Sequence, residues 1–188
     1  MLIHCAHRNP SVPQNYKPDM SITDTAIHEI NILRWLLQEE YKSVQIINPR
    51  KTKFTSNLQD PQLIILQTQS GIVIDIEIFV NCKYGYDIKC EIVGEQGVAH
   101  LAQPTLTKIL HKNISYSNVP FNWKERFDSA YNTELQKFIN DVKQGYLKNS
   151  PSSYDALAAS VAADACLKSQ KTKLQEKIEI PKISYFDL

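Results

Sequence analysis

Asp24 and His28 stand four residues apart in Ser21-Ile-Thr-Asp-Thr-Ala-Ile-His-Glu-Ile-Asn-Ile-Leu-Arg-Trp35, a run that reads as helix. On an α-helix that step brings both side chains to one face. A carboxylate beside an imidazole favours the protonated ring and can set its tautomer, which is how a general base is commonly assembled. The same spacing also describes an intrahelical ion pair on a solvated face, worth a few tenths of a kcal/mol. From spacing alone the ion pair is favoured. A satisfied core histidine, or two ligands of a metal site, also stays open for these residues.

Other chemistries find less support. His4 and His7 are three apart in an extended segment, which sends them to opposite faces. With no C-x-x-C and no H-E-x-x-H, a zinc site lacks its usual ligand spacing, and no metal is expected. No G-x-S-x-G elbow, P-loop or G-x-G-x-x-G occurs, and five glycines in 188 residues leave little room for a phosphate-cradling loop. Cys5, Cys82, Cys90 and Cys166 read as small hydrophobes rather than as disulfide partners. Asn113-Ile-Ser115 matches a glycosylation sequon by chance.

The composition is that of a globular protein, 43% hydrophobic and 22% charged, with a formal net charge of +1. Nothing in it marks a nucleic-acid footprint, and no apolar run approaches the roughly 20 residues of a membrane span. No signal-peptide pattern opens the chain, so a cytoplasmic location is expected, with neither nucleic acid nor membrane as partner.

The elements that must position Asp24 and His28 follow from periodicity. Residues 2–8 read as a strand, and a helix is predicted from near Ile22 to Leu37 with an apolar stripe of Ile22, Ala26, Ile30, Leu33 and Leu37. Val44–Asn48, Leu63–Thr68 and Ile72–Val80 read as strands, the last with Ile74, Ile76, Ile78 and Val80 on one face and Asp75 and Glu77 on the other. Asp87–Val93 and Val98–Leu101 form a predicted hairpin around Gly94–Gly97, with a further strand at Thr105–His111. Trp123, Phe127, Tyr131, Leu135, Phe138 and Val142 recur as a buried helix face does. A last helix, Tyr154–Ser169, is expected to be capped by Ser153, with Ala158, Ala162 and Ala165 permitting close approach. The tail after Lys171 reads as a charged, edge-like extension. Strands grouped between helices indicate an α+β fold with a mixed or antiparallel sheet.

Several stretches carry a resemblance in matching order over nearly the whole chain. They are His4-Cys-Ala-His-Arg-Asn-Pro10, Thr23-Asp-Thr-Ala-Ile-His-Glu-Ile-Asn31, Arg34-Trp-Leu36, Asp60-Pro-Gln62, Val80-Asn-Cys-Lys-Tyr-Gly-Tyr-Asp87, Trp123-Lys-Glu-Arg-Phe127 and Ala163-Asp-Ala-Cys166. They resemble the inositol 2-dehydrogenase branch of the Gfo/Idh/MocA family of NAD(P)-dependent sugar and polyol dehydrogenases. The D-x-x-x-H helix marks the wider family, and H-C-A-H-R-N-P and V-N-C-K-Y-G-Y-D point to the inositol branch.

The resemblance implies a two-layer fold: an open, mostly antiparallel mixed sheet with helices on one face, like the C-terminal domain of glyceraldehyde-3-phosphate dehydrogenase. It implies that residues 1–188 form one substrate-binding, catalytic and oligomerisation domain, without the family's N-terminal Rossmann domain. His28 would be the base that takes the substrate's hydroxyl proton, and Asp24 would orient it and touch substrate. Asn9, Thr25 and Tyr86 fall where the inositol enzymes place further substrate contacts. NAD or NADP would belong to the full-length parent, and none is expected to bind this chain alone. The glycine-rich cofactor loop and the family's Glu-Lys-Pro segment are missing, so the isolated chain is expected to be inactive. The chain would be a piece of a complete dehydrogenase or a separate reading frame left by a frameshift. A rival role is a non-catalytic assembly domain, a homo-oligomer (dimer or tetramer) formed through the exposed sheet face.

Overall fold

Alternation of β-branched residues with polar ones builds the centre of the molecule. The computed structural model describes residues 1–54, 57–102, 108–145 and 150–181. Nine strands occur among them: β1 Leu2–Arg8, β2 Tyr41–Ile47, β3 Gln62–Thr68, β4 Val73–Phe79, β5 Asp87–Val93, β6 Val98–His100, β7 Lys108–His111, β8 Ile114–Ser117 and β9 Glu176–Lys177. A π-helical stretch, Ser21–Ala26, leads into α1 (Ile27–Leu37), and α2 (Trp123–Gln144) and α3 (Ser153–Thr172) follow the strands. Seven strands form one sheet in the order β6-β5-β1-β4-β3-β2-β9, and β7 and β8 make a separate hairpin. Within the large sheet β1 and β4 run parallel and the other neighbours antiparallel. The sheet is mixed and mostly antiparallel, as the sequence indicates.

Register sorts the side chains. Ile3 lies opposite Ile74, Cys5 opposite Ile76 and His7 opposite Ile78, while Ile64 faces Ile76 and Leu66 faces Ile74. These residues, with Val44 and Ile46, form the buried face. Ile22, Ala26, Ile30 and Leu33 cover it from the first helical segment, and Ala162, Ala165 and Cys166 from α3. The small residues of α3 allow the close approach their size suggested, and burial pushes the Cys166 thiol up to about 12. On the opposite face His4 pairs with Asp75, and Arg8 makes a two-pronged contact with Glu77 at 2.7 and 2.5 Å.

Two of the shared motifs serve this frame. Arg34 holds Glu40 at 2.8 and 2.5 Å and Asp155 at 2.6 Å, tying α1 to β2 and α3. Asp60 accepts from the Val80 amide at 2.9 Å, and burial raises its carboxyl above the ordinary range. Gln62 donates to Ser21 Oγ at 2.7 Å and accepts from Gln170 at 3.0 Å, so β3 anchors the start of the π-helical stretch.

Four expectations need correction. Residues 21–26 wind as π-helix rather than α-helix, although Asp24 and His28 still open to the same side. The α3 cap is Ser152 rather than Ser153, because Asp155 stands where it closes a reciprocal capping box with Ser152. The apolar stripe of α2 is not a buried face: Leu135 is 61% and Phe138 57% exposed, with Trp123, Tyr131 and Val142 also open. Periodicity reveals that a helix has an apolar side but not what covers it: Phe127 of this stripe packs against Tyr86, while the residues toward its C-terminal end stay open. Finally, the strand expected over Thr105–His111 is described only from Lys108, and it pairs with β8, which the sequence reading lacked. Residues 105–107 lie outside the described residues.

Candidate active site

Asn9, Asp24, Thr25, His28 and Tyr86 line one cavity of about 690 Å³. His7, Glu29, Ile32, Ile88, Trp123, Phe127 and Tyr131 complete its wall with Leu101. The cavity lies beyond the end of β1, between the first helical segment, the start of β5 and the first turns of α2. Each of these elements brings polar and aromatic side chains to it.

Asn9 follows β1 directly, and its backbone is held at both ends: its amide donates to Phe79 and its carbonyl accepts from Cys82, each at 2.9 Å. Thr25 is buried on the π-helical stretch, and its hydroxyl is 2.7 Å from that of Tyr16. Burial pushes the Tyr16 phenol up to about 12. Asp24 and His28 stay exposed on the cavity side.

Tyr86 is fixed by its neighbour. Gly85 has φ +147°, and a Cβ there would lie 2.6 Å from Val119 Cγ1 and 3.0 Å from the Pro120 carbonyl. Only glycine lets the two segments approach this closely. The Tyr86 amide then donates to Pro120 at 2.6 Å, and the ring packs edge-on against His7 at 5.6 Å and Phe127 at 6.2 Å. Burial, with the charge of Glu29 adding to it, pushes the Tyr86 phenol up to about 12.

No hydrogen bond or ion pair joins Asp24 to His28 among the described residues. The neighbour of His28 is instead His7, whose ring lies 6.4 Å away at an interplanar angle of 23°. His7 in turn meets Glu29 at 2.8 Å. The sequence weighs His7 only as a metal ligand and gives Glu29 no role. The one available signal was the position of His7 on the core-facing side of a strand, where an unpaired imidazole would be costly.

The arrangement suits a small, highly hydroxylated ligand. It offers hydroxyl, amide, carboxylate and imidazole groups on one side and aromatic faces of Trp123, Phe127 and Tyr131 on the other. An exposed imidazole among them can take a proton from a bound hydroxyl. No group of His, Cys, Asp and Glu among the described residues is arranged to hold a metal ion.

A model of an oxidoreductase family, described as its C-terminal alpha/beta domain, matches residues 1–180. The chain belongs to that family. The inositol 2-dehydrogenase of Pseudomonas syringae pv. syringae (strain B728a) is 53% identical over 173 residues, which are 92% of this chain and 51% of that protein. The inositol 2-dehydrogenase of Klebsiella pneumoniae subsp. pneumoniae is 50% identical over 188 residues, 99% of this chain and 55% of that protein. A crystal structure of myo-inositol dehydrogenase from Lactobacillus casei, in complex with NAD(H) and myo-inositol, superposes with a TM-score of 0.92 at 37% identity, covering 100% of this chain and 56% of that one. The chain thus spans about half the length of the relatives it matches.

A pyrophosphate is cradled by a glycine-rich strand-to-helix turn, and the glycines of the described residues stand elsewhere. Gly71 and Gly85 lie in strand connections, Gly94 and Gly97 in the turn between β5 and β6, and Gly145 at the end of α2. None forms the strand-to-helix turn that cradles a pyrophosphate. The first amides of α2 and α3 are occupied by their own caps, Asn122 and Ser152. No helix of the described residues is long and apolar enough to cross a membrane.

Proposed function

We propose that this chain is the substrate-binding and proton-transferring half of an inositol 2-dehydrogenase-like enzyme, acting on myo-inositol or a closely related polyol. Carrying the reading is the convergence of Asn9, Asp24, Thr25, His28 and Tyr86 on one cavity, in a chain half-identical to inositol 2-dehydrogenases. Oxidation of a secondary alcohol to a ketone removes a proton from oxygen and a hydride from carbon. In the parent enzyme a nicotinamide cofactor, NAD or NADP, held outside these residues, would supply the hydride acceptor.

This chain supplies the rest. His28, which lines the cavity, takes the hydroxyl proton on a ring nitrogen. Asp24, on the same rim, holds an adjacent hydroxyl of the ring and keeps negative potential near the imidazolium that forms. Asn9 and Tyr86 supply directional contacts, and a polyol needs several of these to be held in one orientation. Thr25 contributes from below through its hydroxyl, already oriented by Tyr16.

The test is to join this chain to the N-terminal portion of the Pseudomonas relative and assay it with NAD and a panel of inositols and sugars. Turnover with myo-inositol is expected from the joined protein and none from this chain alone. Turnover by the isolated chain, or none with any polyol after joining, contradicts the reading.

A second role rests on the other side of the sheet. A groove of about 700 Å³ there is lined by His4, Arg8, Asp75, Glu77, Lys89 and Glu91, among others. Side chains of both charges on a face free of helices support a homo-oligomer, a dimer or tetramer, through that face. Light scattering that returns a clean monomer at high concentration would remove this role and leave the catalytic one in place.

A further inference from the structure

Behind the cavity wall, Glu29 of α1, His7 of β1 and Tyr86 before β5 form a line of three side chains. Glu29 Oε1 lies 2.8 Å from His7 Nδ1, and His7 Nε2 lies 3.4 Å from the Tyr86 hydroxyl. The His7 and Glu29 side chains keep only 7% and 9% of their surface. Glu29 Oε2 is buried and has no hydrogen-bond partner, so the contact with His7 is the strong one available to this carboxylate. An ionised carboxylate only accepts, so the ring nitrogen facing it must carry hydrogen. Which nitrogen of an imidazole is protonated is set by the hydrogen bond its partner nitrogen side makes.

We propose that Glu29 fixes His7 as its neutral Nδ1–H tautomer, and that His7 is a positioning residue that orients the Tyr86 hydroxyl. The bare His7 Nε2 accepts the Tyr86 O–H, which leaves the phenol oxygen able only to accept from the cavity. The logic is that of a carboxylate–histidine–hydroxyl triad used to aim a hydroxyl rather than to activate a nucleophile.

This rests on the polyol reading for its consequence: a ligand must present a free O–H, as donor, to Tyr86. A methyl ether at that ring position cannot donate and would leave the phenol oxygen unpaired, whereas a free hydroxyl satisfies it. Sensitivity to O-methylation at one ring position therefore follows from a buried carboxylate that touches no ligand.

The relay is tested on this chain itself, without substrate or cofactor, by NMR of protein labelled with nitrogen-15 histidine. The wild-type His7 ring is expected to show a protonated Nδ1 and an unprotonated Nε2. Tyr86→Phe should move the His7 Nε2 resonance and leave Nδ1 in place. Glu29→Gln, whose amide oxygen still accepts, should keep the Nδ1–H tautomer, and Glu29→Leu should release the ring to exchange between tautomers. If Glu29→Leu does not fold, the Tyr86→Phe and Glu29→Gln spectra still decide. A protonated Nε2 on His7, singly or with Nδ1, or an unmoved Nε2 in Tyr86→Phe, overturns the proposal. Absence of turnover in the joined protein leaves these spectra standing, and a wrong tautomer with normal turnover removes this inference alone.

Discussion

Strand β1 carries two histidine–carboxylate pairs three residues apart, and the sheet separates them. His7 and Glu29 sit on the helix-covered side with 7% and 9% of their side-chain surface left, while His4 and Asp75 sit on the open side with 46% and 33%. The same two functional groups therefore meet under opposite conditions. On the open face water screens the pair and can replace either partner. Behind the cavity neither partner can be lost without stranding the other in a low-dielectric interior. Chemistry here is assigned by burial and neighbours rather than by residue type.

The largest expected effect is at the buried pair. Glu29→Ala should cost up to about 3 kcal/mol in urea unfolding, because it leaves the His7 ring N–H buried without an acceptor. Asp75→Ala should cost less than about 1 kcal/mol. Equal costs would erase the distinction between the two faces.

Next comes Gly85→Ala. It places a Cβ 2.6 Å from Val119 Cγ1 at a φ of +147°, and should destabilise by about 1–3 kcal/mol through strain and backbone displacement. The damage should reach the cavity side, seen as a shift of the neighbouring Tyr86 ring resonances, and spare those of His4. Unchanged Tyr86 resonances would show that the wall tolerates movement.

A smaller effect concerns acid. Burial pushes the Asp87 carboxyl up, but the hydrogen bonds from Tyr84 and Lys89 and the charge of Arg8 outweigh it and hold the group below its ordinary range. A carboxyl lowered in the folded state stabilises fully above its unfolded pKa of about 3.9, and that contribution disappears as pH falls through the lower folded value. Wild-type stability should therefore drop on acidification below about pH 4, and Asp87→Asn should flatten that part of the urea-midpoint profile. A parallel profile in the variant would contradict the assignment. The smallest effect is salt: raising ionic strength should weaken what remains of the His4–Asp75 contribution and leave the His7–Glu29 cost unchanged.

Much of the frame was legible in the sequence. Alternation of Ile74, Ile76 and Ile78 with Asp75 and Glu77 gave the strand and its two faces, and the three-residue step correctly put His4 and His7 on opposite sides. That same step hid the partner of His7, since Glu29 is 22 residues away and meets it only after the helix packs on the sheet. The π-helical winding over residues 21–26 was not legible, because Ser-Ile-Thr-Asp-Thr-Ala suits an α-helix equally well in its pattern of apolar positions. The α2 stripe misled for a related reason. Its aromatic residues lie partly on the cavity rim and partly open, and sequence period alone does not distinguish a core from a rim.

The central claim is that His28 is the proton acceptor of a polyol oxidation. Its most direct test is the kcat/KM for myo-inositol of the joined protein carrying His28→Ala, with the His4→Ala protein as the open-face control. A general base contributes about 10²–10⁴-fold, so the account predicts a loss of that size for His28→Ala and a change within about twofold for His4→Ala. A His28→Ala protein that turns over myo-inositol within twofold of wild type would contradict it.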